Sequence, residues 1–276
     1  MTVEALPTGE LGLSIIPIAQ RAGAAIMDIY HSDQNVRYKA DRSPVTDADH
    51  ASEDLIVEGL SKLAPQIPVV AEERLAAGQI PDAGNAFFLV DPLDGTKEFI
   101  KVNGEFTVNI ALIVAEEPVF GLIYAPDKAD CYLTLGRNKA VRFKLIPDHN
   151  PSPRQKLDFQ PLTGEPPDPR PLTAIVSRSH LTPETESFLE KLGKPPRCLL
   201  GSSLKFGVIA RGDADVYPRF APTCEWDTAA GHAILNATGG CLLSGDGGPL
   251  LYGKKERRFI NPSFVAWRRP PGSLAG

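Results

Sequence analysis

The sequence contains little cysteine, and its cysteines are not closely spaced in pairs. The 276 residues include four, at Cys131, Cys198, Cys224 and Cys241. Zinc sites and disulfide frameworks usually show paired cysteine spacings. The scatter therefore favours four reduced thiols that pack as small apolar side chains, as in a cytosolic protein.

Long apolar runs and an excess of basic residues are also absent. No run is long enough to cross a bilayer, and the first residues lack the basic and apolar regions of a secretory signal. With 29 Lys and Arg against 34 Asp and Glu, the net charge of −5 argues against binding to a nucleic-acid polymer. A small phosphorylated ligand held through a metal ion is compatible with this charge. We expect a cytoplasmic protein, with the inner-membrane surface as an alternative location; monomer and homodimer stay open.

The chain is organised around residues 91–99, DPLDGTKEF, which directly follow the apolar run FFLV. The run predicts a buried strand, and Pro92 with Gly95 favours a tight turn at its end. Asp91 and Asp94 are thereby held close together, where two carboxylates repel unless they share a proton or bind a cation. Because no His or Cys is near, Mg²⁺ together with a substrate phosphate fits best. For this stretch alone, a turn without chemistry is the alternative.

Two further groups of carboxylates stand at predicted element ends. Glu72 and Glu73 close a short apolar run, and Asp227 precedes a predicted helix. Gly95 and Thr96 would open a short helix whose free N–H groups face an anion. Together these patterns predict a metal site next to a phosphate site.

The sequence resembles the inositol monophosphatase family of Mg²⁺-dependent, lithium-sensitive phosphatases. Its two signatures are DPLDGT at 91–96 and WDTAAG at 226–231, and they follow the Glu pair in the expected order. The resemblance runs from roughly Ile15 to Phe264. It is closest to the bacterial 3′(2′),5′-bisphosphate nucleotidase branch, on the following segments: KADRSPVT at 39–46, KEFI at 97–100, NGEFTVNIAL at 103–112, SRSH at 177–180, GSSLKF at 201–206 and YPRF at 217–220.

The resemblance implies a set of metal ligands and a catalytic pair. The ligands of two or three Mg²⁺ ions would be Glu72, Asp91, the backbone carbonyl of Leu93, Asp94 and Asp227. Asp49 would pair with Thr96 and, with Glu72, orient or deprotonate the attacking water. Gly95 and Thr96 would hold the scissile phosphate, and inhibition by Li⁺ is expected. Asp47 would be a helix cap or an outer carboxylate, and Glu73 an outer ligand or a water partner.

Substrate selection is expected in the second half of the chain. Lys205 and Arg219 are candidates for a second phosphate, because ammonium and guanidinium groups pair with phosphate oxygens. Ser177, His180 and Ser202 are candidates to line a ribose or base, and Asp227 would also contact the substrate. Solvated charges or caps are the alternative for each. Arg178, His232 and Lys97 are expected at the surface or in an outer shell.

The predicted fold is α/β (α+β). Apolar spacing predicts a helix over 11–30 and another after Thr46, and residues 106–114 and 119–124 predict an antiparallel hairpin. The resemblance implies a layered αβαβα sandwich with the site between its halves. We expect a metal-binding domain over 1–150, a Pro-rich connection over 151–171 and a substrate-side domain over 172–276.

Three functions remain to be compared. The first is a nucleotidase that removes the 3′-phosphate of adenosine 3′,5′-bisphosphate and of its sulfated relative. The second is an inositol monophosphatase or another sugar-phosphate phosphatase with the same metal ligands. The third is a non-enzymatic phosphate sensor, which the complete ligand set disfavours. Two positions depart from the family pattern: Ala71 precedes the Glu pair, and Glu225 would either alter metal affinity or point to solvent.

Overall fold

The computed structural model describes residues 8–32, 34–152, 155–165 and 171–271. Its helices are α1 (Thr8–Tyr30), α2 (Asp47–Leu63), α3 (Glu72–Ala76), α4 (Thr96–Ile100), α5 (Pro183–Lys191), α6 (Leu204–Ala210) and α7 (Ala229–Ala237). Two 3₁₀ turns span Glu225–Asp227 and Lys255–Arg257. Among these helices, none combines the length and the hydrophobicity that a bilayer crossing requires.

The strands form three sheets. They are β1 (Arg37–Tyr38), β2 (Pro44–Val45), β3 (Val69–Ala71), β4 (Ala86–Asp94), β5 (Thr107–Val114), β6 (Glu117–Ala125), β7 (Asp130–Gly136), β8 (Lys139–Lys144), β9 (Gln160–Leu162), β10 (Ala174–Ser177), β11 (Arg197–Leu200), β12 (Val216–Arg219), β13 (Cys241–Ser244) and β14 (Phe264–Trp267). The large sheet has the order β3-β4-β5-β6-β7-β8-β9, and a five-stranded sheet has the order β11-β10-β12-β14-β13. Strands β1 and β2 form a separate ribbon.

The layers follow from the way that β4 buries its apolar run. Phe88 and Val90 belong to one core with α1 and α2, whereas Phe87 and Leu89 belong to a second core with α6 and α7. Alternate residues of a strand point to opposite faces, so the run FFLV is apolar on both. Helix α5 packs against β12 on the far side of the small sheet. The predicted αβαβα arrangement is therefore confirmed.

The predicted hairpin is also present. Strands β5 and β6 pair antiparallel across Ala115 and Glu116, whose φ angles are +50° and +66°. Two successive residues with positive φ match the twist of the flanking strands. The sheet continues from this hairpin into β7 and β8.

Strands β2, β9 and β14 were not predicted. Strand β14 lies between β12 and β13, and β9 lies inside the Pro-rich connection and pairs with β8. The connection therefore adds a strand to the large sheet. Pro153, Pro166, Pro167 and Pro169 of the connection lie outside the described residues. The division into two domains stays a prediction.

The close approach of β6 to α7 gives a test of the packing. A Cβ added at Gly121 would lie 2.2 Å from the backbone oxygen of Ala230, a contact that no side-chain rotation relieves. We expect Gly121→Ala to lower the free energy of unfolding by about 3 kcal/mol, measured by urea denaturation. Gly136→Ala is the matched strand control, because its nearest atom would be 3.9 Å away. Equal stability of the two variants would contradict the packing.

Candidate active site

The central motif is the end of β4 and not a turn that follows it. Pairing with β5 continues to Asp94 opposite Thr107, with a shift of register between Asp91 and Asp94. The Asp91 carboxylate accepts a hydrogen bond from the Leu93 N–H at 3.0 Å. Gly95 then takes a φ of +93°, and α4 begins at the next residue. A strand that is irregular between two aspartates can aim both side chains to one side.

Three aspartates meet at this strand end. Ligand oxygens of Asp91, Asp94 and Asp227 all lie within 4.8 Å of one another. Asp227 comes from the second half of the chain, and its carboxylate accepts the Cys224 N–H at 2.8 Å. Burial and the neighbouring carboxylates raise the pKa of Asp91 and raise that of Asp227 to about 8. A hard divalent cation suits this donor set, because it would stabilise the charged carboxylates.

Glu72 and Glu73 share a cation of the protein itself. The Lys39 ammonium lies 2.5 Å from Glu72 and 2.6 Å from Glu73. Burial and then the charge of Glu72 raise the pKa of Glu73 to about 8. Although burial opposes its charge, the two glutamates raise the pKa of Lys39. Sequence reasoning used Lys39 only as part of a branch signature, since nothing in the local pattern pairs it with residues 33 positions away.

Asp49 and Thr96 are brought together. The Thr96 hydroxyl lies 3.2 Å from Asp49 Oδ1 and 3.3 Å from the Leu93 carbonyl oxygen. The other carboxylate oxygen of Asp49 accepts the N–H and hydroxyl of Thr46, both at 2.7 Å. Burial raises the pKa of Asp49 despite these donors.

Of the two roles expected of Asp47, helix cap or outer carboxylate, the capping role is wrong. Thr46 is the N-cap of α2, in a capping box with Asp49. Asp47 instead points to the surface, where it accepts from Arg37 at 2.6 Å and from Asn35 at 2.8 Å. The extended backbone of Thr46 places its own hydroxyl, and not the next side chain, over the free N–H groups of the first turn.

Two residues that sequence reasoning missed support the aspartates. The Ser203 hydroxyl lies 2.6 Å from Asp94 Oδ2 and 2.8 Å from the Asp227 carbonyl oxygen. The Asn109 amide donates to Ser203 at 2.9 Å. Ser203 therefore joins ligand candidates of the two halves. The branch-signature segments 201–206 and 103–112 contained both residues, but only the fold brings them together.

A cavity of about 400 Å³ opens beside the aspartates. It is lined by all six predicted substrate-binding residues, Ser177, His180, Ser202, Lys205, Arg219 and Asp227. Glu72 and Asp94 line it as well, so metal and substrate candidates share one space. Asp49, Asp91, Leu93, Gly95 and Thr96 are not among the described lining residues.

Lys205 and Arg219 are buried cations in this cavity. The Lys205 ammonium donates to the carbonyl oxygens of Leu200, at 3.3 Å, and Ser202, and burial lowers its pKa to about 8. Arg219 donates to the Pro222 carbonyl at 3.1 Å, while its buried Nε has no hydrogen-bond partner among the described residues. A buried N–H without an acceptor is costly, so this group suits an anionic ligand.

His180 faces the same cations. Its ring nitrogens lie 3.4 Å from the Ser177 hydroxyl and 3.3 Å from the Lys97 ammonium. Partial burial, then Arg219, Lys97 and Lys205, lower the pKa of His180 to about 4, although the residue keeps an exposed edge. His180 is therefore neutral at pH 7 and can donate one hydrogen bond to a ligand.

For two neighbouring residues, the alternative that placed them in solvent is wrong. His232 is not at the surface; it is buried in α7, with Nδ1 3.1 Å from the Tyr252 hydroxyl. Glu225 does not point to solvent. Its carboxylate is fully buried and accepts the N–H groups of Gly253 and Lys254 at 2.7 and 2.9 Å. Glu225 thus anchors a later loop to the turn that carries Asp227.

Known proteins resemble this chain over most of its length. A family model described as "Inositol monophosphatase family" matches residues 13–269. The chain is 42% identical over 252 residues to the 3′(2′),5′-bisphosphate nucleotidase CysQ of Escherichia coli strain K12, covering 91% of this chain and 96% of that protein. It is 43% identical, with the same coverage, to the protein of that name from Salmonella typhimurium.

Solved structures agree. CysQ from Bacteroides thetaiotaomicron superposes with a TM-score of 0.77 at 40% identity, covering 95% of this chain and 98% of that one. An inositol monophosphatase from Anabaena superposes with a TM-score of 0.69 at 22% identity, covering 94% and 90%. At that lower identity the likeness concerns the fold alone.

The crowded carboxylates predict a pH dependence that Mg²⁺ should change. Without metal, Glu73 and Asp227 titrate near 8 in the folded chain, against 4.5 and 3.8 ordinarily. The stability that their protonated forms contribute is full below the unfolded pKa and is lost as pH rises towards 8, because the unfolded chain binds fewer protons.

We therefore expect the melting temperature in EDTA to fall between about pH 6.5 and 8, and Mg²⁺ to raise it more at the higher pH. Differential scanning fluorimetry at both pH values measures this. In this pH range His180 and His232 do not contribute to the change. Their pKa values are lowered to about 4 and 3, so they affect stability only below the ordinary histidine pKa of 6.5. An equal Mg²⁺ effect at both pH values would contradict the prediction.

Proposed function

The chain belongs to the inositol monophosphatase family, and we propose that it acts there as a 3′(2′),5′-bisphosphate nucleotidase. It would remove the 3′-phosphate of adenosine 3′,5′-bisphosphate, giving AMP and phosphate. The observation that carries the proposal is one cavity that combines the Asp94–Asp227 carboxylates with the buried cations Lys205 and Arg219. In a substrate with two phosphates, one phosphate would bind the metal held by the carboxylates and the other would bind the two cations. The identity of about 42% to named nucleotidases supports the same reading.

Magnesium is the cofactor of this family, and the carboxylates here fit it. The residues that would hold it are Glu72, Asp91, the carbonyl of Leu93, Asp94 and Asp227. Bound Mg²⁺ supplies an activated water and charge neutralisation of the leaving oxygen. Occupancy by two or three ions and inhibition by Li⁺ are part of the proposal.

Asp49 is the proposed proton acceptor. When the Thr96 hydroxyl donates to Asp49, its oxygen is left free to accept a hydrogen bond from the attacking water and to orient it. As the water attacks, its proton would pass to the Thr96 oxygen while the Thr96 hydroxyl proton passes to the Asp49 carboxylate. The two donors from Thr46 hold Asp49 in position on its other oxygen. Glu72 shares the task of orienting water, with Lys39 limiting its repulsion from the aspartates. The N–H groups of Gly95 and Thr96 would hold the scissile phosphate.

The opposite side of the cavity would select the substrate. Lys205 and Arg219 would bind the second phosphate, and Arg219 Nε, which has no hydrogen-bond partner in the described part of the chain, offers a donor for it. Ser177, His180 and Ser202 would line the ribose or base, and Asp227 would contact the substrate as well as metal. The transition state of phosphoryl transfer spreads charge over its oxygens, so positioning and electrostatics supply most of the catalysis.

The two alternative functions would require different residues from those present here. An inositol monophosphatase would need the same carboxylates but no buried cation pair for a second phosphate. A phosphate sensor would not need the Asp49–Thr96 pair behind the aspartates. Cytoplasmic location and a monomeric or homodimeric state remain predictions.

Substrate choice tests the proposal directly. With Mg²⁺, we expect kcat/KM for adenosine 3′,5′-bisphosphate to exceed that for inositol 1-phosphate more than about a hundredfold, roughly 2.7 kcal/mol of transition-state binding. Phosphate release by purified protein measures both. Asp94→Asn is the control for the metal site and should lose activity on either substrate. Reversed preference would favour the inositol phosphatase, and no turnover of either would favour the sensor.

The second subsite predicts a separate effect. Lys205→Met keeps most of the buried volume but removes the ammonium, so it should raise KM for adenosine 3′,5′-bisphosphate about tenfold. Hydrolysis of 3′-AMP, which has no 5′-phosphate, should change much less. Lys62→Met is the control, because Lys62 lies exposed on α2 beside Glu58. Equal losses on both nucleotides would mean that Lys205 serves packing and not the second phosphate.

A further inference from the structure

Glu105 lies in the first half of the chain but contacts two loops of the second half. Its carboxylate accepts from Arg178 Nε at 2.8 Å and from Arg178 Nη2 at 2.6 Å. It also accepts the N–H of Gly201 at 2.7 Å. We call these three residues the clasp. The side chain of Glu105 is only 13% exposed, whereas that of Arg178 is 42% exposed. Neither Glu105 nor Arg178 lines the cavity.

The clasp also contacts β11, the strand that precedes the cavity residues Gly201 and Ser202. Arg178 donates from its side chain to the Leu199 carbonyl at 3.0 Å and from its backbone N–H to the Leu200 carbonyl at 3.2 Å. Gly201 follows directly. A Cβ there would lie 2.8 Å from Glu98 Cγ and 3.0 Å from the Glu105 carbonyl oxygen. Gly201 is thus held against the first half by contact as well as by a hydrogen bond.

The position of Lys205 depends on the same segment. Its ammonium is held by the carbonyls of Leu200 and Ser202, the residues on either side of Gly201. Ser202 takes a φ of +46°, which a residue with a side chain adopts only where its surroundings enforce it. Ser203, one residue further, has its own bonds to Asp94 and Asn109. Leu200, before Gly201, is held by its pairing with Ser177 of β10, and Ser203, after it, is held by Asp94 and Asn109. Between these two anchors, the backbone N–H of Gly201 is held by Glu105.

We propose that Glu105 is a positioning residue, which acts through Arg178 and Gly201 to place the Lys205 ammonium for the second phosphate. The inference rests on the proposed nucleotidase function, and it names a residue that would contribute to the selection of a substrate with a second phosphate. Without the Glu105 carboxylate, the Gly201 N–H and the Arg178 guanidinium lose their shared acceptor. Gly201 would then be free to shift between the two carbonyls that hold the Lys205 ammonium, and the Ser202 carbonyl would shift relative to that of Leu200. The metal side of the site keeps its anchors.

Steady-state kinetics of Glu105→Gln tests this with two substrates, adenosine 3′,5′-bisphosphate and p-nitrophenyl phosphate. We expect KM for the bisphosphate to rise about tenfold, the usual scale for a lost charge-assisted hydrogen bond, with kcat little changed. The p-nitrophenyl ester has neither a second phosphate nor a ribose, so its kcat/KM should stay within about twofold. Melting temperatures report whether the variants are folded.

The control is Glu186→Gln. Both carboxylate oxygens of Glu186 accept from Arg197 Nη1, at 2.7 and 2.6 Å, but both residues belong to the second half and the pair does not line the cavity. It should leave both substrates unchanged. Gly201→Ala is a second variant, which displaces the loop while leaving the Glu105 and Arg178 charges in place, and should give the same selective rise in KM.

The outcomes separate the two proposals. Wild-type protein that fails to hydrolyse the bisphosphate would overturn the nucleotidase function and the clasp with it. If wild-type protein hydrolyses it, but Glu105→Gln and Gly201→Ala behave like Glu186→Gln, only the clasp is overturned. Equal losses on both substrates would also overturn it, since the clasp would then support the whole site and not the second subsite.

Discussion

Repulsion between carboxylates is the constraint on which the rest of this structure depends. Asp91, Asp94 and Asp227 converge within one ligand-sized space, beside Glu72. Folding them together has an electrostatic cost that a loop could not sustain, because a loop would relax and separate the charges. The chain meets this cost by placing two of the aspartates on β4, whose apolar residues are buried on both faces. Rigid cores on each side keep the charges where a cation can use them.

The surrounding groups answer the same constraint. Lys39 sits between two glutamates, Ser203 bonds to Asp94, and the Cys224 N–H bonds to Asp227. On the other side of the cavity the sign is reversed, with Lys205 and Arg219 buried near each other. The opposite charges on the two walls of the cavity indicate what kind of ligand it binds. The fold alone does not indicate this, since it is shared at 22% identity with an inositol monophosphatase.

The sequence predicted those elements whose formation depends on neighbouring residues in the chain. The run FFLV, the β5–β6 hairpin and the helix after Thr46 were predictable, because strand burial, turn geometry and apolar periodicity act over a few residues. Strands β9 and β14 were not, because their partners are set by long-range packing. In the site, the aspartate motifs were visible in sequence. The contacts of Lys39, Asn109, Ser203 and Glu105 were not, since each joins residues far apart in the chain and only tertiary distance reveals them.

The place of β14 inside the five-stranded sheet has a consequence for how the protein is made. Residues 264–267 are the last described strand in sequence, yet they lie between β12 and β13. Until the ribosome has released this segment, β13 has no neighbour in the sheet, and Arg219 lacks Phe264 opposite it. The nascent chain can therefore complete the seven-stranded sheet early in synthesis. The wall that carries Arg219 must wait until β14 has been made, so Asp91 and Asp94 are in place on β4 before the strand that supports the substrate cations.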